Sequence, residues 1–255
     1  MCLILLAYKV HPRYPFILAA NRDEFHQRPT RGIHWWSKDS ALLAGKDLQR
    51  GGTWLGLSRR GGFAAVTNVR EGKSRHSSKK SRGQLPLDFL RAPGDVDRFS
   101  RRLIDSREQY SGYNLLFGTC DQLYYYSNRQ DRINKLGPAV YGLSNARLDT
   151  PWPKVATGKS ELTRLSREPD PAPEQLFGLL ESTEQAPDHL LPDTGVGLGL
   201  ERLLSATCIV GEQYGTRSSC VALIDQSRQV RLYAKERAPV RGPVEKFDFM
   251  IDCGL

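Results

Sequence analysis

Apolar positions in this chain come in short runs broken by polar clusters, not in long amphipathic stretches. Residues 2–8 (CLILLAY) and 15–20 (PFILAA) are two such runs, separated by the Pro-bearing polar link HPRY. The pair predicts a hairpin of largely buried strands. Its first strand starts almost at the first residue of the chain, where most domains fray. The polar cluster NRDEFHQRPTR follows at once. Further on, TWLGLS and FAAVTNV (63–69) read as strands joined by the turn Arg59-Arg60-Gly61-Gly62. NLLFGTC (114–120) and QLYYYSN (122–128) predict another hairpin, and VYGLSN (140–145) a single strand. The closing strands are expected at ATCIVG (206–211), SSCVALID (218–225), QVRLYAK (229–235) and VEKFDFMI (244–251).

Helical spacing marks 84–91 and 94–108. The second carries Val96, Phe99, Leu103 and Ile104 on one face, with Asp95 and Asp97 early and arginines late, the sense that the helix dipole favours. Two more helices are expected at 152–166 and 173–182. The stretches 26–50, 70–83 and 184–204 read as loops that shape a pocket, with 184–200 rich in Pro and Gly. Strands, helices, strands, helices and strands in that order are not the regular alternation of a parallel sheet. They predict an α+β fold of two antiparallel sheets with helices grouped outside them. No repeat or low-complexity linker divides the chain, so 1–255 reads as a single domain.

Composition adds limits. With 255 residues, 39% hydrophobic and 25% charged, this is an ordinary globular profile, long enough to bury a core without staples. Its five cysteines (Cys2, Cys120, Cys208, Cys220 and Cys253) are odd in number, widely spaced and free of any CxxC pair. That argues against a zinc site or a disulfide framework and for a reducing compartment. MCLILLAY lacks the basic lead of a secretory signal and falls short of the ~20 apolar residues of a membrane span. A cytoplasmic protein with no transmembrane segment is expected. The net charge of +9 gathers partly at Arg70, Lys73, Arg75, Lys79, Lys80 and Arg82. Such a run is either a solvated loop or a surface that attracts an anion. No aromatic residue interrupts it, so nucleic acid is not expected.

Cys2 carries the candidate chemistry. Removal of the methionine before it would leave a free α-amine on the same residue as a thiol. An α-amine titrates at about 7.7–8.0, so near neutrality part of it is an uncharged base able to take the thiol proton. The thiolate could then attack an acyl carbon, with an Asn amide and a backbone N–H stabilising the oxyanion. The plainer alternative is a small apolar strand residue. Asn21-Arg22-Asp23-Glu24 returns beside Cys2 if the hairpin forms, so Asp23 or Arg22 could reach the amine; equally, these residues could form a polar turn that caps a helix. Asn68, Asn145 and Arg217 share a position at strand ends. A Cys–His dyad through His26 or His34 is a lesser alternative.

Together these blocks resemble the NRDE family, of the transport-and-Golgi-organisation-two type. MCLILLAY, ILAANRDEF, GGTWLGLS with GFAAVTNVR, YGLSNARLDTPWPK and YGTRSS match it in kind and order across nearly the whole chain. The family is distantly similar to the N-terminal-nucleophile (Ntn) hydrolases of the penicillin V acylase and bile-salt hydrolase group. This resemblance implies a four-layer αββα sandwich and processing to a free cysteine. It places the nucleophile on Cys2, the amine-orienting carboxylate on Asp23, the oxyanion asparagine on Asn68, a second asparagine on Asn145 and the late arginine on Arg217. At one point the chain departs. The acylases carry an arginine two positions before the matching Asn, where this chain has Ala19, with an arginine just after it at Arg22. Two functions follow as expectations. One is a cysteine hydrolase of a small amide or related acyl bond, needing no cofactor. The other is a non-catalytic carrier of an amphipathic anion, haem or an acyl-CoA, with the Cys2 thiolate as a haem ligand.

Overall fold

The computed structural model describes residues 2–72, 79–130 and 132–252. Contacts gather into two units. The first comprises Met1–Gln27, Arg70–Lys73 and Pro138–Asp248; the second comprises Arg28–Val69, Ser74–Gly137 and Phe249–Leu255.

The first unit holds a six-stranded antiparallel sheet. Its strands are β1 (Cys2–Tyr8), β2 (Phe16–Phe25), β10 (Ala139–Leu143), β11 (Tyr214–Ile224), β12 (Gln229–Glu236) and β13 (Val244–Met250), in the order β10-β1-β2-β11-β12-β13. The expected hairpin is its centre, with Leu5 opposite Ala19 and Ile4 opposite Ala20. Side chains alternate across a strand. Leu3, Leu5 and Ala7 of β1, Ile17 and Ala19 of β2, and Val221 and Leu223 of β11 share one face. They pack against Val155, Leu162 and Leu165 of α3 (Pro153–Leu165) and Leu176 and Phe177 of α4 (Pro173–Gly178). Pro153 and Pro173 stand in the first turns, where a missing N–H costs nothing. Cys2, Ile4, Leu6, Ala20 and Arg22 fall on the opposite face.

The second unit holds a seven-stranded antiparallel sheet in the order β3-β4-β5-β6-β7-β8-β9. These strands are Thr30–Trp36, Asp39–Asp47, Leu55–Ser58, Phe63–Asn68, Tyr113–Gly118, Leu123–Ser127 and Arg132–Leu136. Helices α1 (Gln84–Arg91) and α2 (Val96–Asp105) lie on it; Phe117 packs edge to face with Phe89 and Phe99 at 5.3 and 5.2 Å, and Phe89 and Phe99 are tilted against each other at 5.0 Å. Asp95 caps α2, accepting from the Arg98 N–H at 2.9 Å, and the acidic start is as the sequence suggests.

Several expectations need correction. NRDE is not a turn: β2 runs on to Phe25, so all four residues lie within a strand. Residues 26–50 are not a loop but hold β3 and β4. β9 was not foreseen. The segment 206–211 is irregular, and the preceding stretch contains α5 (Leu198–Ser205) instead of an unbroken loop.

Candidate active site

The register of the hairpin sets the site. Cys2 pairs with Arg22, so both side chains project from the same face at the end of β1 and β2. The Asp23 backbone amide, next along β2, favours the Cys2 thiolate. Beyond β10, which runs along the other edge of β1, the Ser144 hydroxyl donates to the Cys2 carbonyl at 3.0 Å and lies 3.3 Å from Asn145 Oδ1. Asn145 is fully buried, and its carbonyl accepts from the Arg70 N–H at 2.7 Å.

Asn21 and Asp23 lie on the opposite face, toward the helices. Asn21 Nδ2 donates to the carbonyls of Leu180 at 3.0 Å and Thr207 at 2.9 Å, while its Oδ1 accepts from the Ser219 hydroxyl at 2.5 Å. Asp23 Oδ1 accepts from the Thr216 hydroxyl at 2.6 Å. Thr216 and Asp23 are directly opposed across β11 and β2, and the register then slips, leaving Arg217 as the extra residue of a bulge. Arg217 is buried there. Its Nη1 donates to the Phe25 carbonyl at 2.7 Å and its Nε to the Ala238 carbonyl at 2.8 Å.

A cluster of buried charge surrounds this strand end. Arg22 lies 3.7 Å from Glu24. Arg70 pairs with Glu201 of α5 and lies over the Trp152 ring, 4.5 Å from its centroid. Lys154, in the first turn of α3 and only 5% exposed, donates to the carbonyls of Leu204 at 2.9 Å and Ala206 at 3.4 Å. These are carbonyls at the C-terminal end of α5, where a cation is favoured. The buried cations Arg22, Arg70, Lys154 and Arg217 outnumber the buried carboxylates Asp23 and Glu201. Lys154 also borders a groove of about 590 Å³ on the helix side, with Ser205 and Thr207; Cys2 does not line it.

Burial dominates the ionisation of these groups. It pushes the Cys2 thiol above the ordinary cysteine value; the Asp23 carboxylate adds to the rise and the Arg22 guanidinium opposes it. Burial lowers Lys154 to about 8, against the pull of Asp23. The Tyr214 phenol is raised by burial, then by Asp23 and Cys2. Cys220, buried in β11, is pushed up to about 12 by burial and by Cys2.

Of the residues singled out in the sequence, Cys2, Arg22, Asp23, Asn145 and Arg217 therefore gather at one end of one sheet. Asn68 does not join them within this unit: it ends β6 in the second unit, paired with Tyr113. His26 Nε2 is bonded to the Gly211 carbonyl at 2.9 Å, and His34 Nδ1 to the Gly32 carbonyl at 2.7 Å. Among the described residues neither is hydrogen-bonded to Cys2. The basic run is not a uniform surface. Arg70 turns inward, while Lys79 and Arg82 donate to the carbonyls of Tyr110 and Gly112. Lys73 and Arg75 lie outside the described residues. Sequence reasoning passed over Ser144, Lys154, Glu201 and Thr216. Ser144 and Lys154 stand in the YGLSNARLDTPWPK block and Thr216 in YGTRSS, so two of the motifs already noted held three of the four, while Glu201 lies outside them. Among the described residues no group of three or more His, Cys, Asp or Glu side chains converges on a common point. No helix among them is long and apolar enough to cross a membrane.

The model of the family Transport and Golgi organisation 2 matches residues 1–239. The chain belongs to this family. The Transport and Golgi organization protein 2 homolog of Bos taurus is 36% identical over 252 residues, covering 90% of this chain and 91% of its own length. The Homo sapiens homolog is 34% identical over 253 residues with the same coverage. Among solved structures, penicillin V acylase from Agrobacterium tumefaciens superposes with a TM-score of 0.52 at 12% identity, over 97% of this chain and 86% of that one. At that identity the likeness carries the fold alone. This Transport and Golgi organisation 2 chain thus has the α+β fold of the Ntn hydrolases, with two antiparallel sheets and few helices.

Proposed function

We propose that this chain is a cysteine hydrolase of the N-terminal-nucleophile kind, acting on a C–N amide or related acyl bond of a small molecule. The reading rests on one observation. The β1–β2 register sets Cys2 opposite Arg22, with Asp23 next along the same strand.

Cleavage of the Met1–Cys2 bond frees the α-amine. Burial keeps the sulfur a thiol at neutral pH, so it needs a base at the moment of attack, and the amine of the same residue is that base. Asp23 orients the amine. The thiolate adds to the acyl carbon, and the Asn145 amide and a backbone N–H take the oxyanion charge. As the C–N bond breaks, the leaving amine collects the proton and a thioester remains on Cys2. Water, deprotonated by the α-amine, then releases the acid and restores the thiol. The sum is amide plus water giving acid plus amine. Arg22 and Arg217 supply fixed positive charge at the strand end.

The test is intact mass and labelling. Protein purified without an N-terminal tag is expected to lack Met1 and to react with a thiol electrophile at Cys2 far faster than at Cys120, Cys208 or Cys220. Equal rates, or full activity with Met1 retained, would end this reading. The surplus of buried cations favours a second one, a carrier of an amphipathic anion such as an acyl-CoA or haem. It requires binding that survives Cys2→Ser with no turnover in either form.

A further inference from the structure

We propose that Thr216 is a positioning residue that locks the Asp23 carboxylate in the rotamer the Cys2 amine needs; this rests on the nucleophile reading above. Thr216 can act in only one direction. Its Oγ1 accepts the Ile209 N–H at 2.8 Å and lies 2.6 Å from Asp23 Oδ1. A carboxylate has no proton to give, so the Thr216 hydroxyl must donate to it. One lone pair is already engaged by a backbone N–H, and this fixes the rotor. The relay runs Ile209 N–H to Thr216 Oγ1, then Thr216 O–H to Asp23 Oδ1.

Its anchor is itself held. The Thr216 N–H donates back to the Ile209 carbonyl at 2.8 Å. The segment before Ile209 is pinned by Lys154 on the Ala206 carbonyl, by Asn21 on the Thr207 carbonyl and by the Cys208 N–H on Ser182 at 2.8 Å. This explains why 206–209, apolar enough to read as a strand, is not one. Its backbone groups are engaged by Lys154, Asn21, Ser182 and Thr216. Thr216, Asp23 and Ile209 are all buried, so no water competes for the hydroxyl. The bulge that follows Thr216 keeps Thr216 facing Asp23 while turning Arg217 toward the Phe25 carbonyl.

The experiment uses the full chain with Met1 removed, checked by mass, and iodoacetamide as the probe. The rate of Cys2 alkylation is followed from pH 6 to 10 in wild type, Thr216→Ser and Thr216→Val. Loss of a hydrogen bond to a charged group predicts a drop of about tenfold or more at neutral pH in Thr216→Val, with the profile displaced to higher pH. Thr216→Ser keeps the hydroxyl and is expected to hold the wild-type profile. In an Asp23→Asn background, Thr216→Val should add no further loss. A merely structural threonine would lower the melting temperature and leave the pH profile in place. That result, or failure of serine to preserve the profile, would overturn the assignment. Should Thr216→Val not fold, the wild type answers instead by NMR: the Thr216 hydroxyl proton should be protected from exchange, and a rapidly exchanging one overturns the relay. If Cys2 of the wild type alkylates no faster than Cys120, the nucleophile reading has failed, whatever Thr216 does.

Discussion

Arg70 and Glu201 form an ion pair whose side chains are 4% and 3% exposed, joining the strand-end region of the first unit to α5. Glu201 also accepts from the N–H of Thr194 at 3.0 Å and from its hydroxyl at 2.5 Å. The carboxylate thus serves three donors on two segments. Removing one partner of such a pair strands the other charge away from water. Glu201→Ala is expected to cost about 3–5 kcal/mol in urea denaturation, whereas the double variant Arg70→Met with Glu201→Leu should recover part of it. A double variant no better than Glu201→Ala would mean that the cost lies in α5 packing and not in the charge.

Lys154 makes the second prediction. Its folded value of about 8 lies below the ordinary 10.5, because burial disfavours the ammonium. Between those values the unfolded chain binds more protons than the folded one, so this group's contribution to stability rises with pH across that window and is absent below it. Cys220 works the other way above the ordinary cysteine value, since it stays protonated when folded. Comparison with Lys154→Met isolates the lysine. The variant should gain on wild type below pH 8 and lose that advantage by pH 10.5, with a ceiling of about 3 kcal/mol. A pH-independent difference would refute it.

The third concerns Gly158 in α3. A Cβ there would sit 2.7 Å from Leu5 Cδ1 and 2.8 Å from Cδ2. Leu5 is fully buried in the core of the first unit and has no room to yield. Alanine normally favours a helix over glycine by about 1 kcal/mol, yet overpacking costs about 1–3. Gly158→Ala should therefore lower the melting temperature, and Leu5→Val should partly rescue it in the double variant. Additive losses would show that the two sites do not touch.

A fourth follows from the Cys2 thiol. With any residue left in front of it, sulfur protonation is governed by burial, and alkylation should climb only above the ordinary cysteine range. With Met1 removed, the amine brings reactivity down toward its own titration near 7.7–8.0. Superimposable profiles for the extended and processed forms would remove the amine from the mechanism.

Much of the central sheet was legible because β1 and β2 are apolar on both faces, and their short link left one way for them to pair. The hairpin pattern alone thus places Cys2 near Arg22 and Asp23. β3 and β4 were hidden by register shifts between Arg31 and His34 and between Trp35 and Trp36, which break the period-two alternation that marks a strand. β9 is an edge whose RINKL residues are mostly not buried, so it carries no apolar signature. α5 begins at Leu198-Gly199 after Gly195 and Gly197 at φ values of 79° and 88°, a composition that argues for a turn. Lys154 and Thr216 escaped notice for a different reason. One reads as a helix-start lysine and the other as a strand threonine, and only the tertiary route of residues 204–209 gives them partners.

NRDE sits inside a central strand, and its buried side chains tie that strand to its neighbours. Asn21 ties β2 to two crossing segments, Asp23 is locked to β11 and Arg22 lies opposite Cys2. Damage here therefore reaches the fold itself. In a living cell, missense changes at Asn21 or Asp23 should register as a shortage of protein, cleared by quality control.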